Sequence, residues 1–308
     1  MNISYTAPLA RAWQRMVRQL FRPFALESWL VIGLAAFLAE LGNPLAYTGG
    51  RYQTGLPGHG GWERIRERAS EFLTPAHVIV ALVLLLVVLV VAAVVVYLVL
   101  WVRTRARFVF LRQVASGRAE FRGPWSGYSR LGWSLFAWEA LFGITWIVPL
   151  AIGAGAFGGV LLSAIRGEPP TWSVAGAIAG GLLVAATSLL IVAVDSLVQH
   201  FVVPLMYRHD ETILAAWSRF RPLLLGNAGA FAAYLVFVFI LWILVGLALM
   251  LFALMTCCLG GLLLAIPYVG TLLTLPVWIV ARAYGPEFLA QFGPEWNTLA
   301  TGPADPVA

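Results

Sequence analysis

Residues 222–281 read PLLLGNAGAFAAYLVFVFILWILVGLALMLFALMTCCLGGLLLAIPYVGTLLTLPVWIVA, 60 positions without a charged side chain. As one helix the stretch would be about 90 Å long, roughly three times the hydrocarbon thickness of a bilayer. It must fold back. The turn is expected at 257–261, where Cys257, Cys258, Gly260 and Gly261 separate two leucine-rich runs. That gives apolar helices near 223–256 and 260–283.

Three other intervals repeat the pattern. Residues 78–102 carry no charge for 25 positions, 140–165 for 26 and 172–194 for 23, each enough to cross a core that needs about 20 apolar residues. The composition agrees, with 61% hydrophobic and 11% charged residues over 308 positions, where a soluble domain has about 25% charged. The first span is short, because only 12 uncharged residues separate Glu27 from Glu40. It either re-enters or lets both glutamates snorkel so that 24–45 crosses. Arginine placement decides. With six spans, 15 arginines fall on the side of the amino terminus and 5 on the other; with five, the split is 11 to 9. The positive-inside rule favours six, near 24–45, 76–102, 131–163, 172–206, 223–256 and 260–283, in one membrane domain over residues 1–285 with both termini cytoplasmic. Residues 286–308, with several prolines and acids, are expected to form a disordered cytoplasmic tail. The arginine-rich start lacks a small-residue cleavage site, so the first span is expected to stay in the mature protein.

All 20 basic residues are arginine. The absence of lysine excludes a Walker-type phosphate loop, a Schiff base and a Ser-Lys dyad. The net charge of +6 sits beside apolar spans, where it reads as topology signal and lipid-phosphate contact rather than nucleic-acid binding. Cys257 and Cys258 are neighbours and read as packed thiols. With four scattered histidines they compose no metal site. No cofactor is expected.

An interfacial amphipathic helix is predicted over 8–22, with Leu9, Trp13, Met16, Val17, Leu20 and Phe21 opposite Arg11, Arg15, Arg18 and Arg22. These four arginines are the candidate lipid contacts. A second such helix is predicted over 210–221. Arg107-Phe108-Val109 matches His200-Phe201-Val202, and Trp125-Ser126-Gly127-Tyr128 matches Trp217-Ser218-Arg219-Phe220, 18 and 17 positions later. With Trp13-Gln14-Arg15-Met16 as a weaker copy, this suggests three pseudo-repeats, each an interfacial helix and two spans. The outer loop, 43–75, reads as a glycine-rich turn and a short surface helix over 62–73.

Ionisable groups inside spans are costly and usually face a partner or a wet cavity. Glu139 in the third span and Asp195, Gln199 and His200 in the fourth are therefore the candidate ligand or relay residues, although Gln199 and His200 also fit solvated positions near the cytoplasmic end. Pro149 and the glycines at 153, 155, 158 and 159 interrupt the third span, and Pro267, Gly270 and Pro276 the sixth. Broken helices can line a substrate route or simply kink. Gly155 with Gly159, and Gly176 with Gly180, also fit close packing of the third and fourth spans.

Leu20-Phe21-Arg22-Pro23-Phe24, the run 29–41 and Ile266-Pro267-Tyr268-Val269-Gly270 followed by Pro276 resemble a group of uncharacterised prokaryotic six-span proteins. These are similar in turn to the membrane domain attached to some glycerophosphodiester phosphodiesterases. The resemblance covers roughly residues 5–285 and implies an association with lipids or envelope metabolism. The phosphodiesterase domain has no counterpart in the sequence. The expectation is thus an all-α, non-enzymatic protein of a prokaryotic inner membrane that interacts with lipids or scaffolds other membrane proteins. The alternative is a carrier or channel for a lipid or small amphipathic solute.

Overall fold

The computed structural model describes residues 3–22, 24–41, 75–166, 171–256 and 259–299. Most of the outer loop (residues 42–74), Pro23, Cys257, Cys258 and residues 300–308 lie outside the described residues, whereas Gly260 and Gly261 of the expected turn are helical. Among the described residues the chain is all-helical, and four helical stretches are long and apolar enough to cross a membrane: Ile79–Ser116, Ser129–Ala156, Ala175–His209 and Ala228–Met255.

Helix α1 (Thr6–Phe21) is amphipathic, but its buried stripe is Pro8, Ala12, Met16 and Leu20, spaced four apart. Trp13 and Phe21, expected on the inner face, are 56% and 48% exposed. Four-residue spacing puts the stripe on one face, and Trp13 and Phe21, each one position after a stripe residue, are turned off that face to the same side. Helix α2 (Leu26–Ala39) has 14 residues, about 21 Å, and stops at Glu40. It is tied to α1 by the Trp29 indole donating to the Leu20 carbonyl at 3.0 Å.

Helix α3 (Pro75–Ser116) runs for 42 residues, about 63 Å, twice a bilayer core. The expected end at residue 102 is only where charge begins. Nothing there breaks a helix, which continues until Gly117 turns left-handed at φ +72°. From Ile79 to Leu98 its large apolar side chains are exposed, whereas Ala106 and Phe108 through Leu111 are buried.

After α4 (Arg122–Gly127), the third span consists of α5 (Ser129–Thr145) and α6 (Ile147–Arg166). The break at Trp146 follows from Pro149, which has no N–H for the Thr145 carbonyl. Helix α7 (Thr171–Leu197) passes through a π-helical turn (Val198–Val202) into α8 (Val203–His209). Pro204 is the local cause, because it cannot donate to the His200 carbonyl. Helix α6 packs on α7, with the tight point at Gly180, where a Cβ would stand 2.8 Å from that of Ala156. Gly155, Gly159 and Gly176 have open space instead.

Helix α9 (Ile213–Gly226) is longer than the interfacial helix expected over 210–221, and α10 (Ala228–Met255) starts at residue 228 rather than 223. Asn227 ends α9, its backbone N–H bonding the Leu223 and Leu224 carbonyls. The last apolar stretch is broken into α11 (Leu259–Ala265), α12 (Pro267–Leu273) and α13 (Leu275–Leu289), with Pro267 and Pro276 each starting a helix.

Residues 286–299 correct the expectation of a disordered tail. They complete α13 and two 3₁₀ turns, with Phe288, Leu289 and Thr298 buried. The Gln291 amide donates to the Ser4 carbonyl at 2.8 Å and accepts from the Ser4 N–H at 2.9 Å. Prolines at 286 and 294 suggested disorder, yet phenylalanines at 288 and 292 have rings to meet.

Those rings form the core. Phe201 lies 5.4 Å from Phe220, 5.1 Å from Phe231 and 4.9 Å from Tyr234, and Phe288 is 4.6 Å from Tyr234. The core gathers α1 with the later parts of α3 and α13, the π turn, α8, α9 and the start of α10. Beyond it, α3, α7 and α10 expose leucine, valine and isoleucine along their length. Water would penalise so large an apolar surface, whereas lipid covers it without cost.

Candidate functional site

Two features stand where the helices meet. The first is a buried ionic cluster. Glu139 on α5 forms an ion pair with Arg107 on α3, and the side chains are only 9% and 2% exposed. Gln199 of the π turn places its amide 3.4 Å from a Glu139 carboxylate oxygen and 3.5 Å from Asp195, one turn back. Gly132 allows α5 to approach α3, since a Cβ there would stand 2.7 Å from Arg105 Cγ. Arg107 also interacts electrostatically with Arg103, Asp195, Glu40 and Arg282. Three guanidinium groups and three carboxylates thus balance in one region, as buried charge requires. Arg107 Nε and Gln199 Oε1 are buried without a hydrogen-bond partner. An open donor and an open acceptor on two residues that both meet Glu139 suit a bridging water or a small polar solute.

Three of the four residues singled out in the spans, Glu139, Asp195 and Gln199, therefore meet. His200 belongs elsewhere. Its Nδ1 is 2.8 Å from the Tyr234 hydroxyl, and its backbone carbonyl faces Gly285 of α13, where a Cβ would approach it to 2.3 Å. Arg107 is the residue that sequence reading missed, having been counted as a topology signal. Its clue was the apolar run Phe108-Val109-Phe110-Leu111 directly after it, together with its match to His200.

The second feature is an apolar cavity of about 540 Å³ between α1, α10 and α13. Leu9 and Trp13 form one wall, Leu241 and Val245 a second, Val277 and Val280 the third, and His200 also lines it. Above it, the arginines of α1 divide. Arg11 and Arg15 both bind Glu287 of α13, at 2.8 and 3.2 Å. Arg18 and Arg22 are exposed and have no carboxylate partner among the described residues.

Outside the spans, Glu211 and Arg219 pair at 2.5 Å, and the hydrogen bond from Arg219 holds the Glu211 carboxyl below its ordinary range.

An all-helical body with four membrane-length apolar helices, charge buried where they meet and an amphipathic helix packed on their core defines a membrane protein. Within that class, the chain belongs to a family of unknown function (DUF7544), which matches it over residues 6–293. No curated protein and no solved structure matches it.

Proposed function

We propose that this is a non-enzymatic integral membrane protein of a prokaryotic inner membrane that binds anionic lipid at its cytoplasmic face and can present that face to partner membrane proteins. The observation that carries the reading is the division of α1. Its inner stripe and two of its arginines are fixed to the core, while Arg18 and Arg22 remain available to lipid phosphates. A lipid-linked role of this kind is also what the resemblance of Leu20-Phe21-Arg22-Pro23-Phe24 and Ile266-Pro267-Tyr268-Val269-Gly270 to the membrane domain of glycerophosphodiester phosphodiesterases would imply.

Six spans, with both termini cytoplasmic, fit the arginine distribution. In this arrangement α2 and the broken run α11–α13 add the first and last crossings to the four long ones. A three-unit organisation draws support from α1, α4 and α9, each preceding a pair of apolar segments, and from the burial of both Phe108 and Phe201 at matched positions.

The test is lipid retention in nanodiscs that mix phosphatidylglycerol with phosphatidylcholine. Replacing Arg18 and Arg22 by Gln should reduce phosphatidylglycerol enrichment by about fivefold per arginine, from about 1 kcal/mol each. Unchanged enrichment would defeat the reading.

A second reading, a carrier for a lipid or small amphipathic solute, rests on the cluster of Glu139, Arg107, Gln199 and Asp195 with its open donor and acceptor. In that case Asp195→Asn abolishes solute flux into proteoliposomes.

A further inference from the structure

The cavity between α1, α10 and α13 is lined almost wholly by apolar side chains. Its α10 wall runs from Val238 to Val245 and its α13 wall from Val277 to Tyr284, each eight residues and therefore about 10 Å from first to last along a helix. Helix α1 closes the cytoplasmic end with Leu9, Trp13 and Gln14. A transmembrane helix of the same 10 Å length and about 10 Å diameter needs roughly 800 Å³. The cavity holds about 540 Å³, which admits something thinner. A soluble polar ligand finds few partners there, since apart from Thr6, Gln14 and His200 the lining is aliphatic or aromatic.

The rim adds charge. Arg18 follows Gln14 by one turn, and its Nε bonds the Gln14 carbonyl at 3.4 Å, which brings a guanidinium without a carboxylate partner beside the cavity's edge. Trp13, 56% exposed, stands at the same edge, where an indole suits the boundary between chain and headgroup. Deeper in, Tyr234 holds His200 at Nδ1, and Nε2 has no hydrogen-bond partner among the described residues.

We propose that this cavity binds one acyl chain of an anionic membrane phospholipid, with the phosphate at Arg18 and the chain lying between α10 and α13. The proposal rests on the lipid-binding reading above and adds one defined site to it. Leaving bulk lipid for an apolar cavity gains an acyl chain little, because both surroundings are equally apolar. Selectivity must come from the headgroup, and one arginine gives about fivefold.

The test uses the full chain in phosphatidylcholine nanodiscs containing a minor fraction of phosphatidylglycerol, with native mass spectrometry to count retained lipid. One phosphatidylglycerol per chain is expected to survive, the paired change Val245→Trp with Val277→Trp to weaken it by narrowing the cavity from two walls, and Arg18→Gln to weaken it about fivefold. Leu241→Trp with Val280→Trp repeats the filling test from the neighbouring turns should the first pair fail to fold, and a thermal melt shows which variant is intact. Equal retention of phosphatidylcholine, or retention undiminished by an intact filling variant, overturns the site. If phosphatidylglycerol stays enriched in response to Arg18 and Arg22 but ignores the filling variant, the site falls and the lipid-binding reading stands. If no anionic lipid is enriched at all, both fall.

Discussion

Glu139→Leu should destabilise the protein by about 3–5 kcal/mol, the cost of leaving a buried charge without its partner. The structure supports the upper part of that range. Arg107 is 2% exposed, so water cannot replace the carboxylate. Removing Glu139 leaves Arg107 facing Arg103 and Arg282, with Asp195 and Glu40 to offset all three. For a chain of this size the loss corresponds to a fall of roughly 6–20 °C in melting temperature, taking about 2–4 °C per kcal/mol. The assay is thermal unfolding in one detergent for three variants: Glu139→Leu, Arg107→Met and the two together. Both single variants should lose stability, and the double variant should recover most of it, since a desolvated ion pair exchanged for apolar side chains of similar volume is near neutral. Asp195→Asn serves as control, because it removes one negative charge and keeps the pair. The reasoning is refuted if Glu139→Leu costs less than about 1 kcal/mol, or if the double variant loses the sum of the singles.

Phe201→Ala removes the ring around which Phe220, Phe231 and Tyr234 pack and should cost about 3–5 kcal/mol, measured by the same melt. Gly285→Ala puts a methyl group into the His200 carbonyl and must push α13 off the π turn, at about 1–3 kcal/mol. Gly246→Ala has open space and should leave the melting temperature unchanged or raised. The Glu211 carboxyl is depressed by Arg219, so the pair stabilises above Glu211's unfolded value of 4.5 and is lost as pH falls through the lower folded value. Both side chains are partly exposed, which limits the effect to a few tenths of a kcal/mol. The difference in melting temperature between the parent and Arg219→Gln should therefore shrink to nothing in acid.

The membrane class was legible from uncharged runs alone, because the bilayer acts on every residue of a span and length with polarity suffices to recognise it. Helix ends were less so. Residue 102 ended a hydrophobic run but not α3, since a helix ends where backbone geometry or a missing N–H stops it, as at Gly117 and Pro149. The tail after residue 285 misled for a related reason. Its prolines are a local signal, whereas the burial of Phe288 depends on rings more than fifty positions away.

The same distinction separates what the sequence by itself determined from what only the tertiary structure decided. Asp195, Gln199 and Glu139 stand out because a polar side chain in an apolar span is expensive wherever it points. That Arg107 joins them, that His200 turns instead to Tyr234, and that Glu287 takes Arg11 and Arg15 but leaves Arg18 and Arg22 depends on how α3, α5, α10 and α13 pack around the π turn. The cost of burying a group is local and can be read along the chain. The partner that offsets it is fixed by through-space distance, and residues far apart in sequence acquire one only when the helices meet.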